Sequence, residues 1–118
     1  MIINQLTAEL NHCNSKIEDI DELLDTAKRA AALTGANAIG SAHAQYQPHG
    51  LTAIVFLAES HILLTTWPEI NLLLLDVMLC NPDMSTDTVL QEIKKQFCPD
   101  GTVTSQLIPR EINTTLGS

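Results

Sequence analysis

A serine between an acid and an imidazole stands inside the most apolar part of this chain: Glu59-Ser60-His61, within LAESHILLTTWPEI at residues 57–70. A hydroxyl becomes a nucleophile when its proton has somewhere to go, so a Ser beside polar, titratable neighbours in an apolar setting is a candidate for chemistry. Thr66-Trp67-Pro68-Glu69 closes the stretch, and a thiol, Cys80, ends the following apolar run LLLLDVMLC. The plain structural alternative is a turn between two core strands, with Ser60 and His61 satisfying backbone groups. His12, His43, His49 and His61 share no metal-ligand spacing, and no metal is expected. G-x-S-x-G, P-loop and G-x-G-x-x-G patterns are absent, and no hydrolytic triad can be assembled around Ser60 from the sequence alone.

The elements that must position these groups follow from periodicity. The first ten residues suit a strand. Ser15 and Glu18 have capping-box spacing, followed by Ile17, Ile20, Leu23, Leu24, Ala27 and Ala31 at helical intervals, with Gly35 as the stop. Strands are predicted at 36–46 and 51–58, joined through Pro48, His49 and Gly50. Two more are predicted at 61–66 and 70–80, separated around Pro68, then a helix over 85–97 and a last strand at 102–110. Residues 111–118 read as a frayed tail.

The order β-α-β-β-β-β-α-β predicts an α+β fold: a two-layer α/β sandwich, an antiparallel sheet with two helices on one face. Residues 54–57 and 72–75 are apolar on both faces of their strands, which asks for cover on both sides. Sheets packing face to face in a homodimer would provide it. The 118 residues form one domain with a single core.

Composition narrows the function classes. Fourteen acidic residues against six basic ones give a net charge of −8, which argues against a nucleic-acid partner. No basic segment followed by a long apolar one opens the chain, and the run LLLL at 72–75 is too short to cross a bilayer, so no membrane partner and a cytoplasmic location are expected. The three cysteines, Cys13, Cys80 and Cys98, are an odd number without a C-x-x-C pair, which argues against a disulfide framework.

Taken together, ESHILLTTWPE, DVMLC and the run GANAIGSAHAQYQPHGLTAIVFLAESH resemble the small prokaryotic S-adenosylmethionine decarboxylase proenzymes. Their hallmark is approximately E-S-H, three hydrophobic or small residues, H-T-W-P-E, and an apolar strand ending in D-x-hydrophobic-x-C. The resemblance implies self-cleavage between Glu59 and Ser60 into residues 1–59 and 60–118, which leaves a pyruvoyl group where Ser60 stood. That group's ketone would condense with the amino group of S-adenosylmethionine and withdraw electrons as the carboxylate leaves. Cys80 matches the residue that returns a proton. Thr52 takes the place of a Ser contributed by the other subunit of the dimer. Tyr46 matches an aromatic that stacks on adenine, Glu69 a carboxylate for the ribose hydroxyls, and Trp67 reads as a packing anchor beside them. Thr52 and Ser60 are eight residues apart, roughly 26 Å if extended, so one straight strand could not bring them together.

Four departures accompany the resemblance. Thr65 stands where the second histidine of the motif belongs, and a Thr hydroxyl is no base near neutral pH. Thr52 replaces Ser, AQY at 44–46 replaces H-R-F, and Asn81 follows Cys80 where the pattern has Gly. His61 survives, beside the cleavage point. Polyamine synthesis by S-adenosylmethionine decarboxylation is the leading expectation; a pyruvoyl-dependent arginine or ornithine decarboxylase, and an unprocessed homologue acting as a binding subunit, are the alternatives.

Overall fold

The structure, a computed structural model, describes residues 1–113 and 115. Six strands form one antiparallel sheet: β1 (Ile2–Asn11), β2 (Ala38–Gln45), β3 (Leu51–Leu57), β4 (Ser60–Trp67), β5 (Leu72–Met78) and β6 (Thr102–Glu111), in the order β2-β3-β4-β5-β1-β6. Two helices, α1 (Ile20–Leu33) and α2 (Thr86–Phe97), lie on one face; α1 packs on β2, β3 and β4, and α2 on β1 and β5. This is the expected α+β layer. No helix among the described residues is long and apolar enough to cross a membrane.

Strand alternation divides the sheet into two unlike faces. Leu51, Ala53, Val55 and Leu57 of β3, Ile62 and Leu64 of β4, and Leu73, Leu75 and Val77 of β5 are buried beneath the helices, where they meet Leu23, Ala27 and Ala31 of α1 and Ile93 and Phe97 of α2. The intervening residues Ile54, Phe56, Leu63, Trp67, Leu72 and Leu74 point to the other face and stay partly or largely exposed. That second face carries more apolar side chains than a solvated sheet face needs.

Several boundaries differ from the sequence expectation. The capping box at Ser15 and Glu18 does not form. Asn14 instead caps a short 3-10 turn, Ser15–Glu18, and α1 starts after Asp19, whose carboxylate accepts from the backbone N–H of Asp21 and Glu22. An acid at that point satisfies two orphan donors and complements the helix dipole, so it wins over the box. α2 begins at Thr86 with Ser85 as its cap, accepting from Thr88 N. β4 starts at Ser60 rather than His61. β5 starts at Leu72 because Pro68–Ile70 forms a 3-10 turn ended by Asn71 in the left-handed region. β6 extends to Glu111, so the expected tail is strand at its first residue; positions 114 and 116–118 lie outside the described residues.

Candidate active site

The hairpin β3–β4 carries most of the candidate residues, and its register decides which of them meet. Leu57 pairs with Ser60 and Thr52 with Thr65, so only Ala58 and Glu59 lie between the strands. Glu59 sits at φ 61°, a left-handed conformation that costs a residue with a side chain about 1–2 kcal/mol. The Glu59–Ser60 peptide therefore follows the strained residue of a tight reversal. Ser60 Oγ donates to the Ala58 carbonyl at 3.3 Å.

Ser60 faces a cleft of about 170 Å³ at this end of the sheet, shared with Cys80, Asn37, Leu57 and Met84. Antiparallel pairing of β4 with β5, His61 opposite Met78, brings the residues just after β5 to the turn, which is how Cys80 arrives there. Cys80 is a free, half-buried thiol. The other two cysteines are sealed in the core: burial, with Cys98 beside it, pushes the Cys13 thiol up to about 12, and burial raises Cys98 as well.

His61 is adjacent to Ser60 in sequence but not in direction. Alternation turns it to the open face, where its Nε2 lies 3.0 Å from Asp76 Oδ1. Asp76 also accepts two bonds from Gln5 Nε2, at 3.0 and 3.1 Å, and Gln5 Oε1 accepts from Arg110 at 2.7 Å. The partners Gln5 and Arg110 come from β1 and β6, and no local sequence signal linked them to His61.

The remaining candidates gather at the far end of the hairpin. Tyr46 Oη lies 2.8 Å from Thr52 Oγ1, and Thr52 Oγ1 lies 3.4 Å from Thr65 Oγ1. Thr66, one residue on, is inward and buried, with its hydroxyl accepting from Leu51 N at 3.0 Å, so the two threonines of the TT pair face opposite ways. A cleft of about 220 Å³ is bordered by Tyr46, His49, Thr65, Trp67 and Glu69. His49 Nε2 and Glu69 Oε2 are paired across it at 2.5 Å. Gly50, at φ 96°, lets the β2–β3 loop close over this end: a Cβ there would lie 3.1 Å from the Thr66 carbonyl. His49 read as a mere turn residue in the sequence; its contact with Glu69 appears only once the loop is folded.

Thus Ser60, Glu59 and Cys80 meet at one end, and Tyr46, Thr52, Thr65, Trp67 and Glu69 at the other. Five register positions separate Ser60 from Thr65, a span of roughly 16 Å at strand rise. The two groups do not meet within one chain. The straight-strand distance expected between Thr52 and Ser60 is too long, because the chain reverses at 58–59, but the separation itself stands.

Comparison with known proteins identifies the family and the fold. A family model described as S-adenosylmethionine decarboxylase matches residues 4–111. The chain belongs to the S-adenosylmethionine decarboxylase family. The S-adenosylmethionine decarboxylase proenzyme of Aquifex aeolicus is 43% identical over 84 residues, 71% of this chain and 60% of that protein. The proenzyme of Archaeoglobus fulgidus is 31% identical over 99 residues, 84% of this chain and 86% of its own length. The crystal structure of the adenosylmethionine decarboxylase from Aquifex aeolicus superposes with a TM-score of 0.82 at 29% identity, covering 95% of this chain and 92% of that one. The family is one of carboxy-lyases, and its relatives are named as proenzymes, in keeping with the family resemblance of the ESH and DVMLC segments.

Proposed function

We propose that this chain is the proenzyme of a pyruvoyl-dependent S-adenosylmethionine decarboxylase that works as a homodimer, supplying the aminopropyl donor for polyamine synthesis. The observation that carries the reading is the placement of Ser60: first residue after a left-handed Glu59, opening into a cleft shared with an accessible thiol. Those residues fit the group. The strained turn favours exchange of the Glu59–Ser60 amide for an ester with the Ser60 hydroxyl, since cleavage relaxes the backbone at 59. β-Elimination of that ester then releases residues 1–59 with a free carboxylate and leaves a dehydroalanine at position 60, whose imine tautomer takes up water and loses ammonia to give the pyruvoyl group at the head of 60–118.

When present, that group supplies an electron sink for loss of the substrate carboxylate. The chain's own residues bind, orient and move protons. Cys80, in the Ser60 cleft, is the thiol placed to return a proton to the carbon that loses its carboxylate. The far cleft, with the Tyr46 ring, the Trp67 face and the Glu69 carboxylate, has the composition of a nucleoside site: an aromatic face for the base and an acceptor for the ribose hydroxyls.

A span of roughly 16 Å cannot be bridged by a proton transfer, so a complete site needs the Ser60 end of one copy and the Thr65 end of another. The apolar open face, with Phe56, Leu63 and Leu74, supports a sheet-to-sheet homodimer. The test is release of labelled carbon dioxide from carboxyl-labelled S-adenosylmethionine by the purified chain, with carboxyl-labelled arginine and ornithine as competing substrates. Release from the first alone is expected. Release from either amino acid alone would replace the substrate assignment, and release from none would leave the fold without this activity.

A further inference from the structure

The cleft at the open end of the hairpin is bordered by one carboxylate, that of Glu69, and the structure shows it already held. His49 Nε2 lies 2.5 Å from Glu69 Oε2; a carboxylate only accepts, so the imidazole donates. The two side chains come from separate elements, His49 from the β2–β3 loop and Glu69 from the 3-10 turn Pro68–Ile70 after β4. Their contact fastens the loop to the turn across the cleft. The loop is also closed at its base, where Tyr46 N–H donates to the Gly50 carbonyl at 2.8 Å. The Tyr46 and Thr65 hydroxyls are both turned to Thr52 Oγ1, so neither competes for Glu69.

We propose that His49 is a positioning residue for ribose selectivity: its imidazole holds one oxygen of Glu69 and leaves the other to accept from the vicinal hydroxyls of a bound nucleoside. The inference rests on the nucleoside reading of this cleft given above. A carboxylate has about four lone-pair sites, and the imidazole uses one. A glutamate free to turn about its side-chain bonds must be ordered as the ligand arrives, whereas one already held is preorganised. A deoxyribose lacks one of the two donors and gains less from that arrangement. The Tyr46 and Trp67 rings, which offer the base its apolar faces, do not depend on the imidazole. His49 and Glu69 are 41% and 42% exposed, and so open a pair adds little to stability. Its removal therefore tests placement of the carboxylate rather than folding.

The probe is methylthioadenosine, the nucleoside part of S-adenosylmethionine without its amino acid, together with the deoxyribose analogue that lacks one of the vicinal hydroxyls. Neither carries an aliphatic amine, so their binding to the purified full-length chain, measured by calorimetry, is independent of any ketone chemistry. Wild type is expected to prefer the ribose compound by about tenfold or more. His49→Ala should weaken that compound by about tenfold and the deoxyribose analogue by less than about twofold. His49→Gln keeps a donor and should stay within about threefold of wild type. Added to Glu69→Ala, His49→Ala should change the affinity by less than about twofold, because the group it positions is gone. Equal weakening of both compounds by His49→Ala would overturn the inference and mark His49 as loop support. Unchanged affinity for both would overturn it too, and in either case the preference of wild type for ribose would leave the nucleoside reading standing. Wild type that binds neither compound, or binds both alike, would sink the ribose reading of Glu69 and the role of His49 together.

Discussion

The two ends of the β3–β4 hairpin differ in kind. At the turn, Glu59, Ser60, His61 and the run into Cys80 keep the family's residues, and a strained backbone places a hydroxyl beside a thiol. At the open end, Tyr46, Thr52 and Thr65 are linked through their hydroxyls, Tyr46 Oη to Thr52 Oγ1 and Thr52 Oγ1 to Thr65 Oγ1. The turn end holds the bond proposed to be cut and the thiol; the open end holds the aromatic and carboxylate groups proposed to recognise a nucleoside.

If the halves act together only across a dimer, damage to opposite ends should complement. Ser60→Ala is expected to give a single uncleaved species and to lose decarboxylation by at least about a thousandfold. Glu69→Ala should cleave yet bind substrate poorly. Co-expressed, the two variants should regain about a quarter of the wild-type sites, because half the dimers are mixed and each mixed dimer holds one intact site. No recovery in mixed dimers, isolated with two different tags, would show that both ends serve one chain's site.

A smaller effect separates the two functions of the turn end. Cys80→Ala should leave self-cleavage intact, since the ester exchange uses only Glu59 and Ser60 there, and should reduce decarboxylation by about 10²- to 10³-fold. Equal loss of cleavage and decarboxylation would move Cys80 from proton return to the cleavage step.

The smallest expected effect lies away from both ends and serves as their control. Burial raises Cys13 from 9.0 to about 12, so the folded state favours the neutral thiol. The stability this represents is complete below pH 9 and is lost as pH climbs toward 12. Thermal melting from pH 8 upward should fall less steeply in Cys13→Ala than in wild type, with self-cleavage unaffected at neutral pH. Identical slopes would mean that Cys13 does not feel its burial.

The layer architecture was legible in the sequence from the order of strand and helix patterns, and the stripe Leu23, Ala27 and Ala31 marked the buried face of α1; in β5 the run Leu72–Leu75 hid the alternation, which the burial of Leu73, Leu75 and Val77 reveals. The start of α1 was not, since Ser15 with Glu18 and Asp19 with Glu22 both satisfy the local rule, and the fold uses Asp19, whose carboxylate meets two backbone donors. At the site, the ESH and DVMLC segments carry their signal in residue type and order. The His49–Glu69 pair and the Gln5–Asp76–His61 contacts depend on loop closure and on strands 71 residues apart, and no local pattern encodes them. The separation of Ser60 from Thr65 needed the register, which the two-residue reversal at Ala58 and Glu59 sets.

Everything above turns on whether the Glu59–Ser60 bond is cut. Intact mass of freshly purified protein under denaturing conditions decides it, and mass rather than gel mobility is required because both fragments contain 59 residues. The expected result is two species, residues 1–59 and 60–118, the second lighter by one ammonia than simple hydrolysis would give. A single species near 12.9 kDa that persists on prolonged incubation would contradict it, and would mean that a chain with Thr65 keeps the family's fold without its self-made cofactor.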